Sequence, residues 1–148
     1  MSRKYISAEL RDLVAARANF VCEYCLISEE DTYFGCQVEH IISLKHGGSS
    51  DPDNLAYSCI FCNRYKGSDI ASVSADTGEL VRFYNPRINR WEEHFTFKGV
   101  LIRPLTAIGE ATVRILRFNN GERFLERQIL AGRKRYPSEA ALLLIKAK

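Results

Sequence analysis

Apolar residues recur at helical spacing near the start of the chain: Ile6, Leu10, Leu13, Val14 and Val21 mark one side of a helix from about Ala8 to Asn19, with Ser7 placed to cap it. The period then shortens. β-Branched and apolar residues from Cys36 to Ile42, and again from Leu55 to Ser58, predict two short strands. Between them lies a loop containing Gly47, Gly48, Ser49, Ser50 and Pro52. Asn63 to Gly67 follows as a helical turn closed by the glycine. Leu80–Tyr84 reads as another strand, and Glu93–Phe97 with Val100–Arg103 as a hairpin turned at Lys98-Gly99. Thr106 caps a helix reaching Phe118, Asn119-Asn120-Gly121 separates it from one reaching Ala131, and Ser138 starts a last short helix. The pattern predicts an α+β chain with an N-terminal helix, a strand–loop–strand–helix core, and a C-terminal hairpin plus helices.

Four of the five cysteines form two CxxC pairs, Cys22/Cys25 and Cys59/Cys62. The first ten residues show no apolar leader, and the longest apolar runs, such as 140–145, are too short to cross a bilayer. A cytoplasmic, membrane-free protein is expected, in which such pairs hold metal as thiolates instead of forming disulfides. Each CxxC aims two sulfurs at one tetrahedral ion, so structural zinc would tie the end of the first helix to the start of a later one. Four thiolates also fill the ion's coordination, leaving no open position for substrate. Cys36 is left over as a buried strand residue.

The net charge of +3 hides an asymmetry: residues 1–70 carry seven Lys/Arg against ten Asp/Glu, and residues 71–148 fourteen against eight. The expected organisation is a zinc-stapled core over 1–70 and a basic extension over 71–148 packed on it. Charge this mild does not by itself identify a polyanionic partner.

Between the cysteine pairs the chain reads Val38-Glu-His-Ile-Ile-Ser-Leu-Lys-His-Gly-Gly48, then Asp53-Asn-Leu55, and Cys62 is followed by Asn63, Arg64, Tyr65, Lys66 and Gly67. Over residues 22–69 this resembles the HNH nuclease family. There an acidic residue and a His end one strand, an Asn follows a Gly-rich loop, and a His or Asn opens the helix after the second CxxC. The stretch Phe83–Phe95, with Asn85-Pro-Arg, Trp91 and His94-Phe95, and the stretch Leu105–Val113 are similar to the tail of stand-alone bacterial and phage members.

The resemblance implies a ββα-metal core that hydrolyses phosphodiester bonds in nucleic acid, DNA above all, leaving 5′-phosphate and 3′-hydroxyl ends. It implies His40 as general base, Asn54 as the residue pinning the loop, and Glu39 with Asn63 as ligands of a second, divalent ion. A carboxylate and an amide oxygen suit Mg²⁺ or Mn²⁺. Most members have Asp where this chain has Glu39, and many have His where it has Asn63, so the longer acid would shift the ion. Imidazole, with an ordinary pKa about 6.5, accepts a proton from water at neutral pH. In a regular strand Glu39 and His40 face opposite sides, so a shared site requires the strand to end or bulge at this dipeptide.

Lys45, Arg64 and Lys66 are the expected phosphate contacts of the core, and Arg133, Lys134 and Arg135 those of the extension, with Arg87, Arg90, Arg103 and Arg114 as further candidates. No segment resembles a base-reading helix, so little sequence specificity is expected. The competing expectation is a non-catalytic zinc module that binds nucleic acid. Such a module has little reason to keep Glu39, His40, Asn54 and Asn63 together.

Overall fold

The Ser7 hydroxyl accepts from the Leu10 amide at 3.1 Å and starts α1, Ala8–Arg17. In the computed structural model, which describes residues 5–147, the leader reading of Met1–Leu10 can be followed only from Tyr5; residues 1–4 lie outside the described residues. The helix stops two residues before Asn19 because Asn19 and Phe20 both adopt positive φ, 54° and 57°, and turn the chain toward the first cysteine pair. Val14, Ala15 and Ala18 pack against Leu55 and Tyr57. Leu13, expected on this face, is 48 % exposed, because a ten-residue helix resting on one hairpin buries only a narrow stripe.

Strands β1, Cys36–His40, and β2, Leu55–Cys59, form an antiparallel hairpin with partners Cys36↔Cys59 at one end and His40↔Leu55 at the other. The two CxxC segments therefore meet at one end, and the long polar loop leaves from the other. Helix α2, Ile60–Lys66, follows β2 without a break and ends at Gly67, whose φ of 54° a side chain would disfavour. The hairpin thus lies between α1 and α2.

Two further small sheets follow. β3, Ala71–Val73, pairs with β4, Leu80–Arg82, and β5, Phe95–Lys98, pairs with β6, Leu101–Pro104. A single helical turn, α3 (Trp91–His94), occupies the start of the stretch expected to be strand. Helices α4 (Ala107–Ile115), α5 (Gly121–Gly132) and α6 (Glu139–Lys146) complete the described chain. Thr106 and Ser138 cap α4 and α6 through their hydroxyls, as their positions predict.

The main apolar cluster joins both parts of the chain, from Val21 to Cys62 and from Phe83 to Ile145. Trp91 packs on Phe95 and Phe97, with ring centroids 5.0 and 5.1 Å apart, and its Nε1 donates to the Tyr24 carbonyl at 2.9 Å. Tyr136 donates to the Cys25 carbonyl at 2.7 Å. The first cysteine knuckle is therefore gripped by aromatic residues more than sixty positions away. No described helix is long and apolar enough to cross a membrane.

Candidate metal centre and nuclease site

The Sγ atoms of Cys22, Cys25, Cys59 and Cys62 lie within 4.8 Å of one another, and each residue is at most 2 % exposed. Cys25 and Cys59 are 3.7 Å apart, matching the edge of a tetrahedron with zinc–sulfur bonds about 2.3 Å long. The donor set fits structural zinc. Burial pushes the Cys22 and Cys62 thiols up, whereas hydrogen bonding with Cys22 and the other sulfurs outweighs burial and pulls Cys25 down. Four adjacent thiolates need a compensating cation, and a dication supplies it.

A second cation reaches the cluster from α5. The Arg123 guanidinium donates to Cys62 Sγ at 3.0 Å and Cys59 Sγ at 3.7 Å, and to the Leu116 carbonyl at 2.6 Å. Burial opposes its charge, but the Cys62, Cys25 and Cys59 sulfurs outweigh that effect and hold its pKa above the usual arginine value. The sequence gives little sign of this role, because an Arg on an amphipathic helix ordinarily faces solvent. Its only signal is the i, i+4 pair with Arg127, which is also buried and donates to the Phe118 carbonyl at 2.6 Å.

At the other end of the hairpin, Asn54 holds the loop. Its Oδ1 accepts from the Ile42 amide at 2.9 Å, and its Nδ2 donates to the Ile42 carbonyl at 2.8 Å and the Ser49 carbonyl at 2.7 Å. Gly48 runs so close beneath that a Cβ on it would sit 1.8 Å from the Ile42 oxygen, so only glycine fits there. The clamped loop brings Ser50 Oγ to 3.0 Å from His40 Nε2.

Glu39 lies on the other face. The ladder runs regularly through Glu39↔Ala56 and His40↔Leu55, so β1 ends at His40 with no bulge before it, shorter than the expected 36–42. Glu39 is 4 % exposed; Tyr24 donates to its Oε1 at 2.8 Å, and Lys66 Nζ lies 2.7 Å from its Oε2. Burial pushes the carboxyl above its usual range against the opposing pull of Lys66 and Tyr24. Asn63, on the same side of the hairpin, donates to Gln37 Oε1 at 2.8 Å. Strand alternation groups Glu39 with Gln37 and sends the His40 side chain, like that of its partner Leu55, to the α1 side. The structure thus brings His40 to the Asn54-clamped loop and Glu39 and Asn63 to α2. The two groups lie on opposite faces of the hairpin. Glu39 and Asn63 have the right donor chemistry for a hard cation, but with Lys66 and Gln37 as partners they do not form an open cation site.

One expected phosphate contact needs correction. Lys66 is 2 % exposed, because it falls on the inner side of α2, where it meets Glu39 and donates to the Ile41 carbonyl at 2.8 Å. It cannot reach a nucleic-acid backbone in this arrangement. Arg135 is bonded to Asp31 at 2.6 Å and Glu30 at 2.7 Å, which neutralises part of the C-terminal basic run. Lys45, Arg64, Arg133 and Lys134 are exposed as expected. His94 packs its ring 6.1 Å from Tyr84 and its Nδ1 lies 2.6 Å from Thr106 Oγ1.

Residues 22–69, about a third of the chain, match the family model for HNH endonuclease, with the four clustered cysteines spanning that segment. That match points to a nuclease or nucleic-acid-binding role. No curated protein and no solved structure matches the chain.

Proposed function

We propose that this protein is a cytoplasmic, metal-dependent endonuclease that hydrolyses phosphodiester bonds in DNA. Residues 1–70 form the nuclease core, and residues 71–148 the basic extension that supports it. His40 is the general base: its imidazole takes a proton from water as the water oxygen attacks phosphorus and the bond to the 3′ oxygen breaks. The observation that carries this reading is the Asn54 clamp, which holds both sides of the loop and sets Ser50 against His40 Nε2. A zinc knuckle serving only as a scaffold has no need of that arrangement. Mg²⁺ or Mn²⁺ would supply charge neutralisation at the phosphate. No step is assigned to Glu39 and Asn63, which are engaged by Lys66 and Gln37.

That engagement favours a second reading, in which the domain binds nucleic acid without cutting it. Supercoiled plasmid, incubated with Mg²⁺ or Mn²⁺ and with the unaltered protein or His40→Ala, separates the two. Nicking or linearisation by the unaltered protein alone supports the nuclease. Binding without cutting in either metal favours the non-cleaving module.

A further inference from the structure

A basic cleft outside the sites described so far opens between the end of α1, the segment before α3, and α6. Its volume is about 270 Å³, and Arg17, Glu23, Arg87, Asn89, Arg90 and Leu144 line it. Three guanidinium groups face one carboxylate there, and that carboxylate is already engaged. Glu23 is 2 % exposed; its Oε1 accepts from the Tyr57 amide at 2.9 Å, and its Oε2 is bonded by Arg87.

Arg17 and Arg87 are held side by side by a shared acceptor, donating to the Leu55 carbonyl at 2.8 and 2.9 Å. Arg17 also donates to the Pro52 carbonyl at 3.1 Å, yet its Nε–H is buried with no protein acceptor. Burial, and then the neighbouring Arg87, lower the Arg17 pKa against the opposing pull of Glu23 and Asp53. Arg90 stands exposed at the rim. Adjacent guanidinium forks with an unused buried donor are suited to an oxyanion, and to phosphate in particular.

We infer that this cleft binds a backbone phosphate of the nucleic acid, flanking the bond cut by the water that His40 deprotonates. The identity of the ligand rests on the nuclease reading; the anion site rests on the arginines. Position supports the assignment. Leu55, which anchors both guanidinium groups, is the direct cross-strand partner of His40, so the cleft opens beside β2, the strand next to the one bearing the imidazole. Pro52, which Arg17 also holds, belongs to the same loop as Ser50. The cleft also gives the net-acidic first part of the chain a local positive surface, by combining its Arg17 with Arg87 and Arg90.

The test measures binding of a duplex DNA oligonucleotide across a salt series, in the His40→Ala background so that nothing is cut, with zinc content checking the fold. Arg90→Gln and Arg17→Gln should each weaken binding several-fold and reduce the slope of log affinity against log salt by about one. Arg90→Gln alters an exposed residue, so it remains informative if Arg17→Gln fails to fold. An unchanged slope in Arg90→Gln, with the parent binding normally, overturns the cleft and leaves the nuclease reading standing. A parent that binds no DNA at low salt overturns both. Inorganic phosphate titrated alone distinguishes a free-anion site: submillimolar binding lost in Arg90→Gln, with DNA affinity unaltered in that variant, overturns the nucleic-acid assignment.

Discussion

The two ends of the β1–β2 hairpin are built in opposite ways. At the Cys36/Cys59 end, four sulfurs, Arg123 and a ring of aromatic residues are sealed from water. At the His40/Leu55 end, a half-exposed polar loop is held by the side chain of Asn54 and the close approach of Gly48. The first end concentrates stability; in the proposed nuclease the second carries the chemistry. Substitutions at the closed end should therefore damage the fold, and those at the open end should damage cleavage while sparing the fold.

The largest effect on stability should come from the metal. Structural zinc contributes on the order of 10 kcal/mol in small zinc-folded peptides, and the cluster here joins segments that share the main core. Cys59→Ser, or prolonged chelation, should abolish the cooperative thermal transition seen by circular dichroism and release the metal measured by atomic emission. A metal-free chain melting within about 5 °C of the loaded one would show that the closed end is held by packing alone.

Next come the buried cations. Arg123→Met removes a guanidinium that touches two sulfurs and two carbonyls. Loss of such a buried partner costs about 3 kcal/mol, which lowers the melting temperature by roughly 6–12 °C in a chain of this size. Arg123→Lys should recover only part of that loss, because an ammonium cannot fork between sulfur and carbonyl. Lys66→Met should cost a similar amount by leaving Glu39 buried and unpaired, with a distinctive pH dependence. Burial already holds the Glu39 carboxyl above its usual range, and removing Lys66 lets it rise further. The folded state then holds the proton more tightly than the unfolded state, so this contribution is present at low pH and lost as pH rises through the folded pKa. The deficit of Lys66→Met against the unaltered protein should therefore shrink, in denaturant melts, as the pH falls toward the usual carboxylate range.

These buried cations also mark what the sequence could not convey. The CxxC pairs, the caps at Ser7, Thr106 and Ser138, and the Asn54 position were legible because each rests on local spacing or on a motif. Arg123, Arg127 and Lys66 were not, since a charged residue on a short helix is solvated unless distant segments cover it, and that covering is a property of the tertiary fold. Strand β3 escaped notice because Ala71-Ser-Val73 is too short and too mixed to show alternation. The dipeptide Glu39-His40 posed its geometric condition openly, but which face each side chain takes depends on the register with β2 and on the position of Lys66.

At the open end, Asn54→Ala removes three side-chain hydrogen bonds of a partly buried residue. It should cost about 1–2 kcal/mol and raise amide exchange across residues 41–54 more than elsewhere. Cleavage should fall more steeply than stability, because the loop that carries Ser50 would no longer hold the imidazole. Equal exchange throughout the chain would mean that the clamp serves the whole fold and does not act locally.

The smallest effect on stability and the largest on cleavage should fall on the same residue. His40→Ala at the strand end removes a half-exposed side chain bonded to Ser50, and should change the unfolding free energy by less than about 1 kcal/mol. Loss of a general base lowers rates by roughly 10²- to 10⁴-fold, so plasmid cleavage should fall by that factor while zinc content and melting temperature stay near those of the unaltered protein. His40→Gln fills much of the same space and can still meet Ser50, but it cannot accept the proton. If it cut as slowly as His40→Ala, proton transfer would be the function lost; recovery of cleavage in His40→Gln would make His40 a positioning residue and move the chemistry elsewhere along the open end.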